Sequence, residues 1–395
     1  MFNLSDSVIP LVMGVIVLVA SLISLKLGLS VAIIEILLGA VGGSLGLHTQ
    51  DWMVYLASFG GIVLTFLAGT EIDTQLMRQK FKESFLIGFF SFLLPFVVVA
   101  AYTYFVSKWS AQASVLAGVA LSTTSLAVVY SVLVETGLAK TQIGKLLMSA
   151  TFITDMGTAL ALSILFIKPT IYTLVFVAVS IVVIVLAVKF SHKVFDNPRL
   201  KNKVVEPEIK YVFLLLLAFM YFASIGEGHA VLPAFVLGLL MSPHFRETAD
   251  TRSVRTKLRT VAYAIITPAF FIVGGMRVSV PMILTAAGLF VILFMLKFVS
   301  KFVGVYFLSR KYIPHGAMYT TLLMSTGLTF GTISAVFGLS SGIINETQYS
   351  LLVGVVIASA VIPTFIAQKW FMPAHSEDIV ELNGNGNRMK DGPLR

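Results

Sequence analysis

Residues 121–142 read LSTTSLAVVYSVLVETGLAKTQ, and residues 324–348 read MSTGLTFGTISAVFGLSSGIINETQ. Both put Ser-Thr at the middle of a long apolar run and end on Thr-Gln at the start of the next. Two shorter matches precede them at a similar offset. EILLG (35–39) resembles AFVLG (234–238), and FLAGTEI (66–72) resembles FIVGGMRV (271–278). The offsets are close to 200 residues and the order is kept, so the chain reads as two copies of one unit. The copies span about 29–167 and 230–371.

The composition says what kind of unit this is. Of 395 residues, 57% are hydrophobic and 12% charged, with a mean hydropathy of +0.93. Soluble domains carry about 25% charged residues. Apolar runs of about 20 residues, each able to cross a ~30 Å hydrocarbon core as a helix, recur from end to end. The short alternating segments of a barrel are not seen. The fold class expected is an all-α polytopic membrane protein. Thirteen spans are predicted, at 7–25, 29–47, 52–70, 85–106, 112–136, 142–167, 171–189, 209–226, 230–243, 261–276, 282–309, 316–338 and 348–371. The polar tail, 374–395, reads as disordered and cytoplasmic. MFNLSDS lacks the basic start of a cleavable signal. With no cysteine, disulfides, thiolate metal sites and cysteine nucleophiles are excluded.

Sidedness follows from the basic residues. Of 28 Lys and Arg, 23 fall in the odd-numbered connections and the tail, and three (Lys108, Lys168, Arg277) in the even-numbered ones. The N-terminus is therefore expected outside and the C-terminus in the cytoplasm, in a prokaryotic plasma or inner membrane. The net charge of +9 is a topology signal, and no nucleic-acid partner is expected. With thirteen spans, the fifth and twelfth run in opposite directions, so the copies are inverted. Inverted repeats are typical of secondary transporters, whose sites lie at the repeat interface near the midplane.

Spans 5 and 12 carry small, hydroxyl and glycine residues at mid-membrane: Thr123, Thr124 and Ser125 in one, Ser325 and Thr326 in the other. These are poor helix formers, and they predict broken helices. Freed carbonyls and hydroxyls can then coordinate a small cation; close helix packing through small residues is the alternative, and the repeat favours a site. Asp155 lies 13 residues into span 6, ~20 Å along it. A mid-span aspartate costs about 2.5–3.5 kcal/mol to insert. The matching position in the second copy is Val361, so the fold does not require the charge. A carboxylate in such surroundings can hold a proton or a cation, and competition between them is exchange chemistry. Thr154 beside it is a candidate ligand or a backbone-bonded helix residue. Lys297 and Lys301, four apart in span 11, share a helix face, and one of them is expected to charge-compensate Asp155. Glu35 and Glu71, near the cytoplasmic ends of spans 2 and 3, are expected to be solvated or structural, or to line a funnel attracting cations. No Walker lysine loop supports ATP coupling, no cofactor is expected, and no enzyme activity is expected.

EILLGAVGGSLGL, TFLAGTEIDTQLMRQKFKES, GVALSTTSLAVVYSVLVETGLAKTQIGKLLMSATFITD, AFVLGLLMSP, PAFFIVGGMRV and KFVGV occur in this order. Together they resemble the monovalent cation:proton antiporter superfamily, nearest its Kef-type and NapA-type branch, over about residues 8–370. The resemblance implies a thirteen-span homodimer with a dimerisation domain and a core domain holding crossed, discontinuous helices. It implies Na⁺ or K⁺ (with Li⁺ a further candidate) exchanged for H⁺, in the service of pH homeostasis. The family's essential carboxylate falls on Asp155, and its crossover residues on Thr123, Thr124 and Ser125. Its membrane lysine falls on Lys301, with Lys297 as a rival. The residue before the carboxylate is Asp in electrogenic relatives, Asn in electroneutral ones and Gln in Kef-type systems; here it is Thr154. One carboxylate implies one proton per cation, hence electroneutral exchange. A cation channel of the same fold and a sodium-coupled solute symporter are the alternatives.

Overall fold

A computed structural model describes residues 8–27, 31–70, 81–138, 141–166, 170–195, 197, 206–226, 230–242 and 252–373. Among them all regular structure is helical. In chain order the helices are α1 (Ile9–Leu27), α2 (Val31–Ser44), α3 (Asp51–Thr70), α4 (Phe81–Phe105), α5 (Ala111–Ser122), α6 (Leu126–Glu135), α7 (Gln142–Leu165), α8 (Ile171–Phe195), α9 (Pro207–Ile225) and α10 (Val231–Met241). A π-turn (Ala262–Ile266) joins α11 (Arg252–Val261) to α12 (Thr267–Met276). Then come α13 (Val280–Thr285), α14 (Ala287–Tyr312), α15 (Ala317–Met324), α16 (Thr329–Ser340) and α17 (Glu346–Trp370). Ten helical segments are long and apolar enough to cross a membrane, and three shorter apolar helices fill the remaining positions of the predicted order. Glu71 and the tail 374–395 lie outside the described residues.

Both predicted breaks are present. The fifth span stops at Ser122 and restarts at Leu126; the twelfth stops at Met324 and restarts at Thr329. The tenth differs from its expected start at 261, because the helix begins at Arg252. RSVRTKLRTV is too basic to be read as a span, yet its helix continues through the π-turn into apolar α12. Helix starts are specified locally. Ser110 accepts from Ala113 N (3.1 Å) ahead of α5, and Thr141 from Gly144 N (3.1 Å) ahead of α7. Asn345 and Gln348 form a reciprocal capping box on α17.

Packing follows the order of the two copies. The first helix of each lies on the second helix of the other: α2 on α12, and α10 on α3. The third helices, α4 and α14, pack together, and the broken pair α5–α6 meets α15–α16 at α5 and α16. Lipid is as apolar as the side chains, so contact depends on close approach of small residues rather than on exclusion of water. Gly238 of α10 faces the Phe66 carbonyl and Gly69 of α3, and Gly275 of α12 faces the Ile36 carbonyl. A Cβ at either would collide with backbone, which cannot step aside. Gly238→Ala is expected to lower unfolding stability in detergent by about 1–3 kcal/mol. Gly288→Ala, with no atom within 4 Å of the added carbon, should leave it unchanged or slightly raised.

Candidate functional site

The two breaks bring unpaired backbone into the middle of the bundle, and hydroxyls satisfy much of it. Thr123 Oγ1 donates to Ala120 O (3.1 Å), Ser325 Oγ to Thr321 O (2.8 Å) and Thr326 Oγ1 to Leu323 O (2.7 Å). Ser125 Oγ accepts from Val128 N (3.3 Å), capping α6. Thr124 Oγ1 crosses between the copies and donates to Met324 O (2.9 Å), the last carbonyl of α15. All five side chains are buried. The crossing is close: a Cβ at Gly331 would stand 2.9 Å from Ala120 O and 3.0 Å from Thr123 Oγ1.

Two lysines reach this crossing from α14, both fully buried. Lys301 Nζ donates to Thr124 Oγ1 (2.7 Å) and to Ser91 Oγ of α4 (3.0 Å). Through Thr124 its charge is relayed to the carbonyl end of α15, where a cation is favoured by the helix dipole. Lys297 Nζ has no hydrogen-bond partner; it lies against Gly327 beside Thr123. Neither lysine reaches the interface.

Asp155 is 2% exposed. It lines a cavity of about 20 Å³ with Leu64, Leu67 and Ala68 of α3, Leu126, Tyr263, Thr329 and Phe330. That volume holds about one water-sized occupant. Leu126 and Thr329 open α6 and α16, so two helix N-termini border the carboxylate's cavity, an arrangement that favours negative charge there.

The structure thus gathers Asp155, Thr123, Thr124, Ser125, Lys297, Lys301, Ser325 and Thr326 into the centre of the molecule. Of these, Asp155 alone lines the cavity. The hydroxyls are engaged with backbone and lysine, in keeping with their reading as helix-break residues. Thr154 follows the plainer reading: its Oγ1 lies 3.2 Å from both Ala150 O and Gly88 O, tying α7 to α4. Glu35 corrects the expectation of a solvated interfacial carboxylate, because it is only 2% exposed. Span 2 begins close to it in sequence, but α2 is packed along its length against α12.

Three contributors were not anticipated. Ser91 has a signal in sequence: it stands four residues before Pro95, inside an otherwise apolar α4, where proline removes the N–H that would bond the Ser91 carbonyl. Thr329 and Tyr263 have none, since their part depends on how the π-turn and α16 meet α7.

The transmembrane sodium/hydrogen exchanger family model matches residues 14–371. The chain is 27% identical over 364 residues to probable Na(+)/H(+) antiporter 3 of Methanocaldococcus jannaschii, covering 87% of this chain and 90% of that protein. It is 26% identical to Na(+)/H(+) antiporter NhaS4 of Synechocystis sp., covering 83% and 84%. It is 23% identical to a Na(+)/H(+) antiporter of Enterococcus hirae, covering 88% and 93%. Its fold is that of the solved sodium proton antiporter MjNhaP1 from Methanocaldococcus jannaschii at pH 8, with a TM-score of 0.66 at 15% identity over 92% of this chain and 98% of that one. The chain is an integral membrane transporter, not an enzyme, and it belongs to the sodium/hydrogen exchanger family.

Proposed function

We propose that the chain is a secondary monovalent cation/proton antiporter in which H⁺ and Na⁺, or a related alkali cation, take turns on Asp155. One observation carries the reading: a buried carboxylate on a cavity with room for one small occupant, beside a crossing of broken helices that the buried Lys301 reaches. A symporter of organic solutes needs a roomier cavity. A channel needs a continuous path, and Asp155 is enclosed. Residues 1–373 form the transport domain. The copies about 29–167 and 230–371 are inverted, and the segment carrying the broken helices moves against the remainder to expose Asp155 to either side in turn. The N-terminus lies outside, the C-terminus in the cytoplasm, and two copies pair as a homodimer, as the resemblance implies.

The exchange is electroneutral. Among the described residues Asp155 carries the only carboxylate on the cavity, so one proton leaves for each cation that binds. Proteoliposomes given a Na⁺ gradient should acidify or alkalinise without passing current, and a valinomycin-clamped potential should leave the rate unchanged. A current reversing as two protons per cation demands would overturn the stoichiometry. It would also bring a lysine into the proton count. The cation is named by adding Na⁺, K⁺ and Li⁺ separately to vesicles holding a pH gradient.

A further inference from the structure

We propose that Arg259, with the two tyrosine rings it spans, is a gate that closes the Asp155 cavity on the side of the basic loops. The proposal rests on the alternating-access reading above. The Arg259 guanidinium lies 5.9 Å from the Tyr130 ring centroid and 5.8 Å from that of Tyr263, within the range of cation–π attraction. Tyr130 belongs to α6, one arm of the crossed pair. Tyr263 and Arg259 belong to the segment around the π-turn, which packs on α3. The contact therefore bridges the two bodies that must separate if the cavity is to open.

Its position relative to the cavity follows from helix geometry. Leu126 and Tyr263 line the cavity. Tyr130 lies four residues beyond Leu126, and Arg259 four before Tyr263, each about 6 Å away along its helix. Both displacements run the same way. α6 leads from the cavity toward Lys140 and Lys145, and the Arg259 helix comes up from Arg252, Arg255 and Lys257. Arg259 and the Tyr130 ring thus lie about one helical turn from the cavity on its basic side, and Tyr263 joins them to its wall. The π-turn that begins at Ala262 inserts an extra residue in the turn and alters the facing of the side chains there; such bulges are frequent at functional sites.

The chemistry suits a gate. Stacking of a guanidinium on rings is tolerant of angle and readily remade. A positive group on the path also repels a cation until it swings aside, so ion passage and opening are coupled.

The chain has no cysteine, so a single introduced thiol reports accessibility without background. Leu126→Cys reports the cavity. Thr49→Cys reports the separate 880 Å³ pocket that Thr49 lines with Arg277 and Ser340. Labelling by a membrane-impermeant maleimide is measured in vesicles of each orientation. Arg259→Ala and Tyr130→Ala should each raise the Leu126→Cys rate several-fold from the Arg259 side. Tyr130→Phe, which keeps the ring, should label as slowly as the native background, and Thr49→Cys should be unchanged throughout. The gate is overturned if both alanine variants label at the native rate. It is also overturned if Tyr130→Phe opens the cavity as far as Tyr130→Ala, or if Thr49→Cys speeds up in parallel, which would mark general loosening. Labelling needs no transport, so a gate that opens in a chain without exchange would sink the antiporter reading and leave the gate standing.

Discussion

Replacing Asp155 with asparagine is expected to reduce cation-driven dissipation of a pH gradient to the rate of protein-free vesicles, for Na⁺, K⁺ and Li⁺ alike. Asparagine keeps the shape and the hydrogen-bonding capacity of the side chain, so the fold should survive. It can neither release a proton nor supply a negative charge to a metal ion. The loss should be complete because, among the described residues, no second carboxylate lines the cavity to take over. Asp155→Glu restores the charge but adds a methylene to a space of about 20 Å³, and is expected to transport weakly or with altered ion preference. The variant proteins are compared by thermal unfolding in detergent, so that loss of transport is read at matched folding. An Asp155→Asn protein that still exchanges cations for protons would move the site elsewhere. One that passes cations without any pH change, as the native chain would then also do, would make the protein a channel.

Much of this was legible before any coordinates. The spans follow from apolar length, and the breaks at 123–125 and 325–328 from helix-poor residues placed where a membrane helix should be uninterrupted. The meeting of the two breaks was what the resemblance implied, and the hydrogen bond from Thr124 to the Met324 carbonyl is where it occurs. Asp155 was legible because charge at mid-membrane is costly and so needs a reason.

What was not legible depends on which face of a helix meets which neighbour. Thr123, Thr124 and Thr154 have the right atoms for ligands, but the first two face carbonyls left by the breaks and Thr154 faces the Ala150 and Gly88 carbonyls, and only coordinates show that. Glu35 looked interfacial because span 2 starts six residues earlier; its burial is set by α12 lying along α2. Tyr263 reaches the cavity from a π-turn, which no periodicity announces. The basic helix α11 was missed for a related reason: its composition argues against a membrane segment, while its backbone simply continues one.

Lys301 and Lys297 separate cleanly by their surroundings. Lys301→Met should destabilise the protein by about 3–5 kcal/mol, the cost of removing one partner from a buried ionic group. Its ammonium is fully buried and donates to Ser91 and Thr124, and the resemblance makes it the counter-charge of Asp155. Without it the carboxylate keeps its desolvation cost and loses its counter-charge, and the Thr124 link to the end of α15 loses its donor. Lys297→Met removes an ammonium that has no hydrogen-bond partner and that repels Lys301. It keeps the volume, so stability should hold or rise. The decisive measurement is a double-mutant cycle by thermal unfolding, with Asp155→Asn as the second change. Neutralising Asp155 removes the charge that Lys301 balances, so Asp155→Asn/Lys301→Met should be more stable than Lys301→Met alone by about 0.5–3 kcal/mol, the coupling expected of groups in one network. Asp155→Asn/Lys297→Met should be close to additive. If the coupling appears with Lys297 instead, that lysine is the counter-charge. Lys301 would then be a structural pin between α4 and the helix crossing, and its hydrogen bonds would matter for position rather than for the charge state of Asp155.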